Sequence, residues 1–293
     1  MGGSGAGRPA GYRSARTGGG RDRVTVSLTV GDDPGGTGIS EEAKGRAGGR
    51  GGGGAGPWRV LKFGGTSVTG AGRVDVMARE ILRSAREARP VVVVSAFSGV
   101  TDALEDAAAS AVRGEDTAPL LEALHARHRE TVEALVGPDP ELEALLEERI
   151  GELGRRLQGV ALLHECSPRT RDSILATGEA LSASILAAAL RRRDVPARAV
   201  DAGRWIVTDD AFGRAVVDTA ATTEAVRREV REVEGVAVVP GFTGSTPERE
   251  VTTLGRGGSD HSASVLGVCL AAQEVEIWTA VDGVMTADPR VVP

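Results

Sequence analysis

From Trp58 onward, the chain alternates short runs rich in β-branched residues with longer runs of helical periodicity. Residues 91–94 are four consecutive valines, which is typical of a central parallel strand covered on both faces. Between the strands predicted at Trp58–Phe63 and 91–96, apolar residues recur every three or four positions, which indicates a crossover helix. Strand, helix and strand in this order predict an α/β fold with a mainly parallel central sheet.

Helical patterns occupy much of the remaining chain. Residues 100–165 are predicted to be helical, with breaks at Gly114 and at 137–140, and a further helix is predicted over about 170–192. Later helices are predicted over about 222–233 and 260–272. Further strands are predicted at 198–201, 205–207, Val236–Pro240 and 274–279.

The first 56 residues differ in composition from the rest. They hold 20 of the 41 glycines and carry eight basic against five acidic residues. We predict that 1–56 is a disordered Gly/Arg-rich extension. The alternatives are translated sequence ahead of a start near Pro57, or an organellar transit peptide, which the glycine density fits poorly. The acidic remainder argues against nucleic acid as the main partner, because backbone binding needs a basic face.

Cysteine, histidine and hydropathy patterns exclude several other classes of protein. Cys166 and Cys269 are too few for a disulfide framework, which favours a reducing, cytoplasmic environment. His125 and His128 are three residues apart, but no other Cys or His is near them in sequence, so we predict no metal site. No run of eighteen apolar residues occurs, so we predict no membrane span.

Residues 60–67, Val-Leu-Lys-Phe-Gly-Gly-Thr-Ser, carry an apolar strand directly into a glycine pair. Gly64 and Gly65 have no Cβ to keep an anion from their N–H groups, and Lys62 adds a mobile ammonium. Only two of the 35 lysine and arginine residues are lysines, so the composition of the chain would favour an arginine at position 62 and does not explain the lysine there. The segment predicts phosphate binding, while an ordinary strand-to-turn junction stays open as the alternative.

A second glycine loop, at 254–263, places an arginine, two glycines and an aspartate at the start of a predicted helix. Free N–H groups and the helix dipole favour an anion at such a position. Arg256 adds a planar fork that suits a carboxylate or a phosphate. Ser259 or Asp260 is equally suited to capping the helix, and the capping and ligand roles do not exclude each other.

Three further segments contribute polar side chains. Residues 95–102, which include Thr101, follow the second strand at the edge where open parallel sheets bind ligands. Glu179 lies in the apolar helical segment 176–183, where a structural pair and contact with a substrate amine are both open. Residues 277–290 run from a strand into a polar loop.

Together these five segments resemble the catalytic domain of aspartate kinases, in the amino acid kinase superfamily, over about residues 58–293. The resemblance depends on three motifs in this order: Lys-Phe-Gly-Gly-Thr-Ser, Gly-Glu-x-Leu-Ser-Ala and Gly-Arg-Gly-Gly-Ser-Asp. It implies a three-layer α/β/α sandwich. It also implies Mg²⁺-dependent transfer of the ATP γ-phosphoryl group to the β-carboxylate of L-aspartate, the first step toward lysine, threonine and methionine.

The resemblance implies a role for each matching residue. Lys62 would stabilise charge on the transferring phosphoryl group, and Asp260 would orient Lys62. Glu179 would face the amine of aspartate and Arg256 a carboxylate. The full substrate-binding set would be Thr101, Glu179, Arg256 and Ser259. The nucleotide would lie on Lys62, Gly64, Gly65, Gly257, Gly258, Thr279, Met285 and Arg290.

The sequence departs from the family pattern in two places that matter. Ala280 stands where the family usually has an aspartate beside the nucleotide, and the chain ends at Pro293, where family members continue into further kinase-domain structure and regulatory domains. We therefore expect a C-terminally incomplete kinase domain. The alternative is a non-catalytic homologue that binds nucleotide weakly and serves as a partner subunit. The resemblance is also compatible with a homo-oligomer.

Overall fold

The main sheet has six strands, five of them parallel. A computed structural model of the protein describes residues 23–26 and 56–278. The edge strand β1 (Arg23–Val26) pairs antiparallel with β8 (Glu274–Trp278), and the remaining neighbours are parallel. A separate antiparallel pair joins β6 (Thr243–Ser245) to β7 (Val251–Thr253). In spatial order the main sheet consists of β1 (Arg23–Val26), β8 (Glu274–Trp278), β2 (Trp58–Phe63), β3 (Arg89–Val94), β5 (Val236–Pro240) and β4 (Ala197–Ala199).

The longest helices begin at a capping side chain that is followed by proline. At the start of α4 (Pro140–Leu163), the carboxylate of Asp139 accepts a hydrogen bond from the N–H of Leu142 at 3.0 Å, and Pro140 takes the first helical position. Ser167 and Pro168 start α5 (Pro168–Arg191) in the same way. The helices are α1 (Ala71–Ala85), α2 (Val100–Val112), α3 (Ala118–Leu135), α4 (Pro140–Leu163), α5 (Pro168–Arg191), α6 (Ala202–Trp205), α7 (Thr219–Glu229) and α8 (Gly258–Cys269).

Two apolar cores lie on opposite faces of the sheet. Successive side chains of a strand point to opposite faces, so on β2 Leu61 joins the core formed with α1 to α5. Val60 joins the second core, which includes residues of α6, α7 and α8. The fold is therefore the predicted three-layer α/β/α sandwich. Lys62 alternates with Leu61, so it lies on the same face of the sheet as α8.

Two predictions differ from the structure. The strand predicted at 205–207 is wrong, because the side chain of Asp201 accepts a hydrogen bond from Gly203 N–H and begins the short helix α6 there. Only Val207 forms an isolated bridge. The disorder predicted for 1–56 is wrong at Arg23–Val26, where the backbone completes a sheet edge by pairing with β8. Elsewhere in 1–56 disorder stays a prediction.

Helix α5 is the most apolar long helix of the described residues. By length and composition, an 18-residue window of this helix would suffice to cross a membrane. However, 78% of that window is buried inside the fold. Its composition therefore follows from its place in the core, against α2, α4 and the strands β4, β5 and β7.

Candidate active site

Eight of the predicted site residues meet in one cleft at the carboxyl ends of the parallel strands. This is the edge where open α/β sheets bind ligands. The cleft has a volume of about 580 Å³. A second cleft of about 660 Å³ lies between α4, α5 and the β6–β7 pair, and it contains none of the predicted residues. The predicted residues that line the first cleft are Lys62, Thr101, Glu179, Arg256, Gly257, Gly258, Ser259 and Asp260.

Lys62 and Asp260 form an ion pair inside this cleft. The Nζ of Lys62 lies 2.7 Å from Oδ1 of Asp260. The lysine side chain is only 10% exposed, whereas that of Asp260 is 51% exposed. Lys62 belongs to β2 and Asp260 to the first turn of α8, so the pair joins the two predicted phosphate-binding loops. The ammonium is held at one place in the cleft before any ligand arrives.

The glycine pair after β2 serves two different purposes. A Cβ on Gly65 would overlap the carbonyl oxygen of Ala96, so only glycine allows the loops after β2 and β3 to approach this closely. The N–H of Gly64 donates to the carbonyl of Trp278 at 3.1 Å and extends the pairing of β2 with β8. The N–H of Gly64 is therefore engaged within the sheet, and the approach of phosphate to Gly64 and Gly65 stays a prediction.

The second glycine loop presents free donors at the start of α8. Gly257 has a φ of 74°, in the left-handed region, with open space on its Cβ side. Among the described residues, the N–H groups of Gly257 and Ser259 have no hydrogen-bond partner. The N–H of Gly258 instead donates to Gly255, and a Cβ on Gly258 would lie 3.0 Å from the ring of Phe242. Gly257 thus offers a donor to an anion, while Gly258 allows close packing.

Glu179 is buried at the base of the cleft with only 4% of its surface exposed. Its Oε1 accepts a hydrogen bond from the hydroxyl of Ser259 at 2.9 Å, and its Oε2 accepts one from the N–H of Phe242. Burial raises the pKa of Glu179 to about 7, although these two hydrogen bonds and the charge of Lys62 oppose the rise. Both carboxylate oxygens thus already bind protein groups.

The remaining predicted substrate residues differ in how freely they are presented. Arg256 is exposed and forms no ion pair with any other residue of the described part of the chain. Thr101 lies half-buried in the first turn of α2. The hydroxyl of Ser259 also accepts a hydrogen bond from Ser95 at 3.1 Å. Arg256 is therefore the guanidinium that an incoming anion would meet unpaired.

Some cleft residues were not identified from the sequence. Arg171 lines the cleft, and its Nη2 lies 2.5 Å from Oε1 of Glu105, which lines it too. Arg171 precedes Glu179 by eight residues, so helical periodicity would have placed both on one face. Gly213 also lines the cleft, and no local pattern marks it.

Part of the nucleotide prediction cannot be compared with the structure. Thr279, Met285, Arg290 and the substituted position Ala280 lie outside the described residues. Within 23–26 and 56–278, no three His, Cys, Asp or Glu side chains come together as a protein-built metal site would require. The described part of the site therefore consists of two ion pairs, Lys62–Asp260 and Arg171–Glu105, together with the free guanidinium of Arg256, the buried carboxyl of Glu179 and the loop donors.

Comparison with known proteins assigns the family. The profile described as "Amino acid kinase family" matches residues 57–293. This chain belongs to the amino acid kinase family. Among relatives in that family, lysine-sensitive aspartokinase 3 of Escherichia coli is 36% identical over 240 residues, which covers 80% of this chain and 51% of that protein. Chloroplastic aspartokinase 3 of Arabidopsis thaliana is 36% identical over 242 residues, which covers 79% of this chain and 42% of that protein.

Solved structures of the amino acid kinase family agree with the fold. Escherichia coli aspartokinase III in complex with aspartate and ADP matches with a TM-score of 0.69 and 34% identity, over 80% of this chain and 52% of that one. The same enzyme in complex with lysine and aspartate matches with a TM-score of 0.70. The resemblance to aspartate kinases drawn from the motifs is confirmed, and the chain spans about half the length of these relatives.

Proposed function

We propose that the chain is the catalytic domain of an ATP-dependent aspartate kinase, which transfers the γ-phosphoryl group of ATP to the β-carboxylate of L-aspartate and forms 4-phospho-L-aspartate. The observation that carries this proposal is the cleft in which the Lys62–Asp260 pair, the unpaired Arg256 and the buried Glu179 meet. The names of the relatives support the same activity.

Charge neutralisation is the chemistry that this cleft supplies best. Phosphoryl transfer is accelerated mainly by positioning and by electrostatic stabilisation of the transferring group. The ammonium of Lys62, fixed by Asp260 at 2.7 Å, would neutralise charge on that group. The attacking β-carboxylate is already ionised at neutral pH, because the ordinary pKa of an aspartate side chain is about 3.9. No general base is then required.

The loops around Lys62 fit the phosphates of ATP. The free N–H groups of Gly257 and Ser259 lie at the N-terminus of α8, where the helix dipole favours an anion. The open space beside Gly257 lets a phosphate reach the backbone. Thr279, Met285 and Arg290 complete the proposed nucleotide site.

Mg²⁺ fits this site as an ion carried by the nucleotide. Magnesium is commonly held by one or two carboxylates together with substrate phosphates, and not by a dedicated protein cage. The described residues contain no such cage, but the half-exposed carboxylate of Asp260 borders the same cleft. When bound, Mg²⁺ would neutralise phosphate oxygens.

The charges of the cleft also fit an acidic amino acid. Arg256 would bind one carboxylate of L-aspartate, and Lys62 would lie near the other, which receives the phosphoryl group. Glu179 would attract the amine, and Thr101 and Ser259 would supply hydroxyl groups. The intact Lys62–Asp260 pair favours this enzyme over a non-catalytic partner subunit. A homo-oligomer and a cytoplasmic location stay predictions.

Trapping of the product tests the proposal. The purified chain would be incubated with Mg²⁺-ATP and L-aspartate, glutamate or acetylglutamate in the presence of hydroxylamine, which converts an acyl phosphate into a coloured hydroxamate. Release of ADP would be followed in parallel, with UMP as a fourth acceptor. We expect aspartyl hydroxamate to dominate. Equal turnover of another acceptor would contradict the assignment, and nucleotide binding without any turnover would favour the non-catalytic alternative.

A further inference from the structure

Asp172 is a fully buried carboxylate that the proposed chemistry does not use. It lies on α5 and has no exposed surface. Its Oδ2 accepts hydrogen bonds from the N–H groups of Gly213 at 2.7 Å and Thr253 at 2.8 Å, and its Oδ1 accepts one from the hydroxyl of Thr253 at 2.7 Å. All three partners are donors, which suits an ionised carboxylate. Burial of such a group without these partners would be costly.

Asp172 and Glu179 hold opposite ends of the loop that carries Arg256. The two carboxylates are seven residues apart on α5, which is about 10.5 Å along a helix that rises about 1.5 Å per residue. Asp172 binds Thr253, the last residue of β7. Glu179 binds Ser259, the second residue of α8. The loop 254–258, in which Arg256 and Gly257 are exposed, lies between these two anchors.

Further contacts tie this loop to its surroundings. Gly213, the second partner of Asp172, lines the cleft, and its carbonyl oxygen would lie 3.4 Å from a Cβ on Gly255. The N–H of Leu254 donates at 3.0 Å to the carbonyl of Phe242, whose own N–H donates to Glu179. One helix therefore sets both the ends of the loop and its distance from the neighbouring turn.

We propose that Asp172 is a positioning residue for the acidic substrate, acting with Glu179 as a clamp on both ends of the loop 254–258. The clamp fixes the loop backbone from which the Arg256 side chain extends, in the cleft that Lys62 also lines. This inference rests on the proposed function, because it assigns Arg256 to a substrate carboxylate. Loosening the loop at Thr253 should then weaken binding of aspartate more than binding of nucleotide, whose phosphates meet the other end of the loop.

The variant Asp172→Asn tests the clamp. The carboxylate of Asp172 accepts from three buried donors through two oxygens, whereas the amide of asparagine has only one acceptor oxygen. The NH₂ group of the asparagine would face one of these donors, so at least one donor would lose its partner. We expect the Kd for L-aspartate, measured by calorimetric titration, to rise about tenfold, which corresponds to about 1.4 kcal/mol. The Kd for ATP should change less than about twofold, or about 0.4 kcal/mol. In turnover, the aspartate KM should rise while kcat is nearly unchanged.

Two further sets of variants separate positioning from general damage. Asp218 accepts an N–H bond from Ala221 at the start of α7 and does not line the cleft, so Asp218→Ala removes a carboxylate cap outside the cleft. Loss of the cap should lower stability and leave the aspartate Kd unchanged. If Asp172→Asn does not fold, Thr253→Val removes the hydroxyl donor, whereas Thr253→Ser keeps it. Valine should weaken aspartate binding and serine should retain it.

The outcomes distinguish the clamp from the function on which it rests. A wild-type aspartate Kd in both Asp172→Asn and Thr253→Val would overturn the clamp and leave the kinase assignment intact. Equal losses of aspartate and ATP affinity would also overturn it, because they would indicate a general structural role. Failure of the wild-type chain to bind L-aspartate would overturn the proposed function, and the positioning role with it.

Discussion

The raised pKa of Glu179 predicts that the free energy of unfolding depends on pH, and this can be measured without a catalytic assay. Burial raises the pKa of this carboxyl from an ordinary 4.5 to about 7. Between these pH values the folded protein keeps the proton, whereas the unfolded chain releases it. The resulting stabilisation is fully present below about pH 4.5 and is lost as the pH rises through about 7.

The size of the effect follows from the two pKa values. Each unit of pKa corresponds to about 1.36 kcal/mol, so the free energy of unfolding should lose about 3 kcal/mol through this one group as the pH rises. Glu179→Gln removes the titration while keeping a side chain that resembles the protonated acid. The difference in unfolding free energy, wild type minus variant, should therefore fall by about 3 kcal/mol between pH 4.5 and pH 8.

Urea unfolding of both proteins at several pH values measures this difference, and titrations common to the two proteins cancel.

Glu229 provides a control of opposite sign. Its burial acts to raise its pKa, but hydrogen bonds from Arg228 and Arg204 lower the pKa overall. The stabilisation from Glu229 is therefore present at neutral pH and lost as the pH falls, and Glu229→Gln should remove that loss. Parallel curves for wild type and Glu179→Gln would refute the reasoning.

The other predictions concern the loops and the nucleotide. Gly65→Ala should lower the free energy of unfolding by about 1–3 kcal/mol through overpacking, measured by urea unfolding, whereas Gly72→Ala, with open space around it, should not. Lys62→Ala should lower kcat more than aspartate affinity, and Arg256→Ala should chiefly raise the aspartate KM; a wild-type KM in the latter would contradict its carboxylate role. Ala280→Asp should tighten ATP binding by about ten- to a hundredfold in calorimetric titration if a charge-assisted hydrogen bond is restored, and identical affinities would make Ala280 a neutral replacement.

Several features of the site could be predicted because their chemistry is local in sequence. A strand that runs into Lys-Phe-Gly-Gly and a loop with Gly-Arg-Gly-Gly-Ser-Asp each place the charge and the conformational freedom that an anion needs within a few residues. The parallel sheet was predictable for the same reason, since buried strands and crossover helices have different apolar periods. The strand predicted at 205–207 was wrong because Asp201 caps a short helix there, and apolar periodicity does not reveal such a cap.

The sequence by itself therefore determined the fold class and the two glycine loops, and it identified eight of the residues that line the cleft. Only the tertiary structure decided which groups are free to act. In the folded chain the N–H of Gly64 donates to Trp278, and Arg256 has no ion-pair partner among the described residues. Asp172 accepts hydrogen bonds from donors that lie 41 and 81 residues away along the chain. The physical reason is that a hydrogen bond or an ion pair depends on distances across the fold, whereas a motif reports only neighbours along the chain.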